Sequence, residues 1–205
     1  MFVRVGWIYI VALGFVDLTG CGGPPQNVQR VNANSTTDLS GRWNDTDAHE
    51  VSEALIKDCF SAPWLRNFKQ KAGKSPTVRV RGIVNKTDEH IDAQVFVKNI
   101  ERAMVNSGEV DVVSQEGNEM NSVSAEQKFG ASGEVSDESA PSMGNRSGAD
   151  YVLIGRMASI LDQVEGKAAK FYKVTFELIN STTDKKVWMG DHEIKKLIQQ
   201  RGTSW

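Results

Sequence analysis

The stretch from Thr77 to Val113 constrains the fold more than any other part of the chain. Thr77–Asn85, TVRVRGIVN, alternates at first and then turns apolar, as a strand does. The following HIDAQVFVKNIERAMVNSG puts Ala93, Phe96, Val97, Ile100, Ala103 and Met104 on one helical face, with Gln94, Lys98, Glu101 and Arg102 opposite. Gly108 is placed to end that helix in a left-handed conformation, and VDVV at 110–113 reads as the next strand. A strand, a helix and a strand joined by short links predict a right-handed parallel crossover.

The rest of the chain has to be arranged around this unit. In RWNDTDAHEVSEALIKDCF the cluster Asn44, Asp45, Thr46 and Asp47 offers cap oxygens, and Glu50 stands three after Asp47 as in a capping box. A helix to about Phe60 follows, with Val51, Ala54, Leu55, Cys59 and Ala62 as its apolar arc; Asp58 falls inside that arc and needs a polar neighbour. Pro63 then opens a further helical stretch through Trp64, Leu65 and Phe68. Residues 114–148 are rich in Gly, Ser, Asn, Glu and Asp and read as a mobile acidic loop with one short helix around Ala125–Phe129.

Beyond that loop, Tyr151–Ile154 is apolar on both faces, as a central strand is. In FYKVTFELIN, Tyr172, Val174, Phe176 and Leu178 alternate with Lys173, Thr175 and Glu177, the pattern of a sheet with one covered face. Turns near Glu165–Lys167 and Thr182–Lys185 make these last segments, ending in KVWMGDHEIKK, an antiparallel meander. The expected fold is α+β: a mixed sheet of about five strands, a parallel crossover joined to a C-terminal antiparallel meander, with helices packed on one face.

The N-terminus has a different character. From Val5 to Val16 the chain is mostly apolar behind a single Arg4, too short for a bilayer span of about 20 residues but suited to an export signal. Leu18, Thr19, Gly20 and Cys21 resemble a bacterial lipobox. The resemblance implies cleavage before Cys21, lipidation of that cysteine and, with Gly22 rather than an aspartate next to it, an outer-membrane anchor facing the periplasm. Several acyl chains on one residue hold far more firmly than one. Residues 1–20 are then the signal peptide. Residues 21–43, rich in Gly, Pro, Asn, Ser and Thr in their first part, form a flexible lipid-anchored tether, and 44–201 form the domain. A tether of about 20 residues reaches about 70 Å when fully extended and about 25 Å as a flexible coil.

With 24 basic against 26 acidic residues the net charge is −2, which gives no general argument for nucleic acid. The charge is nevertheless uneven along the chain. Arg66, Lys69, Lys71, Lys74, Arg79, Arg81 and Lys86 follow one another between Cys59 and Thr87 with no acid among them, and the first six form a candidate interaction surface. Its complement is an acidic protein surface or cell-wall polymer; the plainer alternative is a solvated face. Once Cys21 carries lipid, Cys59 has no disulfide partner, and its spacing from Val51 and Leu55 makes it a core residue.

The order of elements, together with DLSGRWNDTDAHEVSEAL, GADYVLIGRM and VTFELINSTTDKKVWMGDHEIKK, resembles the LpoB-like lipoproteins, activators of penicillin-binding proteins. The resemblance implies a domain related to the N-terminal domain of TolB, held at the outer membrane and binding a bifunctional peptidoglycan synthase. An activator of this kind works by binding the synthase's active state more tightly than its inactive one. The alternative is an assembly component of an envelope secretion or transport machine, since relatives of the curli pore component CsgG share this general domain.

No catalytic constellation is expected. His49, His90 and His192 lack the pairing of a metal site, and neither a nucleophile elbow nor a phosphate or dinucleotide glycine pattern occurs. Asp45 and Asp47 are better explained as cap residues than as an acid and base pair. No cofactor, no metal and no nucleic acid partner is expected.

Overall fold

The computed structural model describes residues 29–32, 35–114, 117–136, 138–141 and 147–199. The chain divides into two units, Met1–Ala33 and Asn34–Trp205. In the first, residues 29–32 have no regular structure, and the lipobox and Cys21 lie outside the described residues. The second contains α1 (Asp45–Ser61), α2 (Pro63–Ala72), β1 (Thr77–Lys86), α3 (Ala93–Ser107), β2 (Asp111–Val112), α4 (Asn118–Gly130), β3 (Tyr151–Val164), β4 (Lys167–Asn180) and β5 (Lys186–Gln199). No described helix is long and apolar enough to cross a membrane.

The strands form one mixed sheet in the order β2-β1-β3-β4-β5. β1 runs parallel to both β2 and β3, while β3, β4 and β5 form the expected antiparallel meander. α3 crosses from β1 to β2, capped by Asp92 at its start and closed by Gly108 at φ 65°, a conformation that glycine adopts without a Cβ penalty.

α1 and α3 lie on one face of the sheet. Val51, Leu55 and Cys59 of α1 and Phe96, Val97, Ile100 and Met104 of α3 are buried against Val78, Val80, Leu153, Met157, Val174, Phe176 and Leu178. Each such side chain withdrawn from water stabilises the fold by about 1.5–3 kcal/mol. Gly155 leaves room for the ring of Phe176, its cross-strand partner, on which a Cβ would fall. Asp58, at the edge of the α1 arc, accepts a hydrogen bond from Trp188 Nε1 at 2.8 Å, the polar neighbour that its position required.

Three local readings differ from the structure. The capping box of α1 is one turn earlier: Asn44 is the cap, its side chain accepts from the Asp47 N–H, and Asp47 accepts from the Asn44 N–H at 2.9 Å. Glu50 instead faces His192 at 3.1 Å. In β1 the register shifts between Val80 and Gly82, a bulge that places Ile83 rather than Gly82 beside Gly155. That bulge explains why the strand's alternation gives way to an apolar run. The helix within the acidic stretch is also longer than the short turn expected, running from Asn118 to Gly130.

Candidate functional site

The alternation of β4 that buries Tyr172 and Val174 also carries Lys170 to the helix-covered face. Its ammonium is almost wholly enclosed. It donates to Asp88 at 2.9 Å and to Glu89, both in the link between β1 and α3. Glu89 further accepts from the Tyr172 hydroxyl at 2.6 Å and from the Trp43 N–H at 3.0 Å. One β5 position across from Lys170 stands Lys196. Lys196 is bound by Asp38 and Asp47, each at 2.7 Å, and by the carbonyl of Arg42 at 3.0 Å.

Between the two lysines runs the segment Asp38–Trp43, laid on the sheet as a strap. The Gly41 carbonyl accepts from the Tyr172 hydroxyl at 3.1 Å, and a Cβ on Gly41 would fall inside the Ile198 side chain. The Trp43 ring stands edge-on to Tyr172 and Phe96, with centroids 5.5 and 6.0 Å away. The SGRWNDTD motif thus combines a close-approach glycine, an aromatic wedge and the α1 cap in eight consecutive residues. Contacts with the domain are therefore already made at Asp38, inside the segment expected to be tether.

A cavity of about 860 Å³ opens beside the strap, with Trp43, Phe96, Val95 and Leu161 as apolar walls and Lys170 with its carboxylates on the floor. Burial pulls the Lys170 pKa down, but its two carboxylate partners outweigh this and raise it. Hydrogen bonding by Lys170, then by Ser159, holds Asp88 down at about 2. At Glu89 burial pushes upward, but the bonds from Lys170, Tyr172 and Trp43 together win and the pKa is lowered. Lys196 is likewise raised by Asp38 and Asp47 against the effect of burial. Asp47 itself is raised, because burial there exceeds what Lys196 returns.

Lys170, Lys196, Asp88 and Glu89 therefore keep their charges at neutral pH, and the ordinary requirement for a general acid or base, a pKa near the working pH, is not met by them. Burial pushes the Cys59 thiol up to about 12, so it is a packed core group and not a nucleophile. Among the described residues no group of three or more His, Cys, Asp or Glu side chains could hold a metal ion. The arrangement holds backbone segments in place.

A family model described as the peptidoglycan-synthase activator LpoB matches residues 47–194, from the first turn of α1 into β5. The chain belongs to the LpoB family. No curated protein matches the sequence. Among solved structures, the LpoB C-terminal domain from Escherichia coli is 18% identical with a TM-score of 0.43, the match covering 75% of this chain and 99% of that one. The corresponding domain from Salmonella enterica is 20% identical with a TM-score of 0.39 and the same coverage. A lipoprotein from Neisseria meningitidis is 14% identical with a TM-score of 0.39, covering 62% of this chain and 88% of that one.

In this LpoB-family domain the basic residues of the candidate interaction surface gather toward the end of the sheet opposite the strap. Arg66, Lys69 and Lys71 belong to α2, whose Trp64 and Phe68 pack edge-on against Tyr151 at the start of β3, and Lys74 lies just beyond. Arg79 and Arg81 are on β1, where it pairs with the first residues of β3. Arg66, Lys71 and Lys74 are exposed, whereas Lys69 is paired with Glu109 at 2.5 Å and Arg79 is half-buried with its Nε unbonded. The strap and its two lysines are what sequence reasoning missed. The signal was present: Lys170 and Lys196 have the same parity as the covered residues of their strands.

Proposed function

We propose that this chain is an outer-membrane lipoprotein, anchored through Cys21, that binds a penicillin-binding protein and activates its peptidoglycan synthesis. The observation that carries this reading is the family match over residues 47–194, which takes in both helices of the covering layer and most of the sheet. The charge-satisfied strap supports it: a domain whose buried ions are spent on holding its own backbone acts through surface and position. The exposed cations Arg66, Lys71 and Lys74, with Arg79 and Arg81, form the surface offered to the synthase, with an acidic face as its complement. Activation then equals the difference in affinity for the synthase's two states.

The test is a purified bifunctional synthase polymerising its lipid-linked disaccharide substrate with and without the protein. Addition of the protein raises the glycosyltransferase rate several-fold, and reversing Arg66 and Lys71 to glutamate removes most of that gain without unfolding the domain. An unchanged rate together with no crosslink to the synthase overturns the reading.

A further inference from the structure

Half of the exposed large apolar side chains among the described residues lie at the strap end of the domain. Leu39 in the strap is 92% exposed, Val164 at the end of β3 is 72% exposed and Leu197 on β5 is 75% exposed, with Ile160, Leu161 and Val95 beside them. They are not on one face only. Leu161 pairs with Lys170 and belongs to the helix-covered side, whereas Ile160 pairs with Phe171, and Leu197 with Ala169, on the open side. A strand end lying in water normally alternates apolar with polar groups; here Asp162, Gln163 and Gln199 stand among exposed apolar side chains that occur on both faces, and soluble surfaces rarely gather such side chains without a partner.

Arg42, Lys167 and Lys195 are exposed at this end, alongside the exposed acids Asp162 and Glu165, and the three cations make no ion pair among the described residues, which leaves them available to headgroup phosphates. Asp38, where the chain meets the domain, is bound to Lys196 next to Leu197. If the anchor is at Cys21, about 17 residues separate it from Asp38, which limits the separation to about 60 Å. The apolar end is thus where the chain from the proposed anchor joins the domain, which raises its effective concentration toward the bilayer.

We infer that the strap end of the sheet is a membrane-contact surface: Leu39, Ile160, Leu161, Val164 and Leu197 enter the headgroup region of the phospholipid bilayer, and Arg42, Lys167 and Lys195 pair with lipid phosphates. This rests on the anchoring at Cys21 proposed above and adds to it an orientation of the domain on the membrane.

The experiment uses the full chain in vesicles of phosphatidylethanolamine and phosphatidylglycerol that contain a nitroxide-bearing lipid. An environment-sensitive fluorophore is placed through Val164→Cys, Leu197→Cys or, as a control in the β4–β5 turn, Thr183→Cys. Quenching at 164 and 197 exceeds that at 183 about threefold or more, and Ile160→Asp with Leu161→Asp lowers it toward the control. Equal quenching at all three positions overturns the inference. So does contact between labelled chains that excludes lipid from this end, which assigns the surface to a second copy. Mass analysis of the same sample reads acylation at Cys21 separately: an unacylated chain refutes the anchor, while its quenching pattern on added vesicles still decides the contact surface.

Discussion

Replacing Lys170 by methionine isolates the ion pair that fixes the strap. The Lys170 side chain is 7% exposed and that of Glu89 is 12% exposed, so the substitution leaves Glu89 inside the fold with only the Tyr172 hydroxyl and the Trp43 N–H as donors. Asp88, 56% exposed, recovers water and contributes little. Breaking a fully buried pair costs about 3–5 kcal/mol, and exposed pairs about 0–1 kcal/mol. One buried and one exposed carboxylate place the loss at about 2–3 kcal/mol. With a urea m-value of about 2 kcal/mol/M the midpoint falls by about 1–1.5 M at unchanged slope. Adding Glu89→Gln removes the orphaned charge and recovers about 1 kcal/mol.

The sign of the pH dependence follows from the same contacts. In the wild type the Asp88 and Glu89 pKa values are depressed on folding, so their stabilisation is present above the ordinary carboxylate range and is lost as pH falls from about 4 toward 2. In the variant, burial acts on Glu89 without Lys170 to oppose it. The folded pKa then rises above the unfolded one, and the deficit shrinks as pH falls below about 5. A loss under about 0.5 kcal/mol, or a double variant no more stable than the single one, refutes the assignment of a buried pair.

Gly155→Ala places a methyl group on the Phe176 ring and near Ile83. Overpacking of this kind lowers stability by about 1–3 kcal/mol, read as a fall in thermal midpoint of several degrees, whereas Gly148→Ala, with open space around it, leaves the midpoint within about a degree. Cys59, fully buried and with its pKa pushed up to about 12, stays unreacted toward a thiol reagent in the native protein and reacts within minutes in denaturant; rapid native modification contradicts the packing described.

Much of the fold was legible because it is written locally. The α3 stripe, Gly108 as its stop, the β4 alternation and the two meander turns each need only a dozen residues to be read, and each is where the sequence put it. What was not legible depends on distance or on register. The frame of the α1 cap could not be chosen among four neighbouring cap residues without knowing that Lys196 binds Asp47 and Asp38. The bulge at Gly82, with φ 144°, turns Val84 onto the open face, which no pattern in β1 specifies. Lys170 has the parity of a covered residue, but its partners stand more than eighty positions earlier, and sequence alone gives no reason to prefer Asp88 and Glu89 over the other acids. The second halves of β3 and β5 lack the apolar run of a central strand because they extend past the helix layer toward the strap, where one face meets the cavity and the other meets water.

The strap also determines what an anchor at Cys21 can do. Because Asp38–Trp43 packs on the domain, a pull on the chain ahead of it is taken up by Lys196, which holds Asp38 and the Arg42 carbonyl, and by the Tyr172 hydroxyl, which holds the Gly41 carbonyl. The basic residues of β1 stand beside Val152–Ile154, about nine residues along β3 from the Leu161 that pairs with Lys170, about 30 Å away at about 3.3 Å per residue. If the anchor and the membrane contact proposed above hold, the molecule adds the length of its own sheet to its reach. On the proposed anchoring and membrane contact, the proposed synthase surface is the one farthest from the membrane, and a rigid sheet supplies part of the reach that a disordered tether supplies only at an entropic cost.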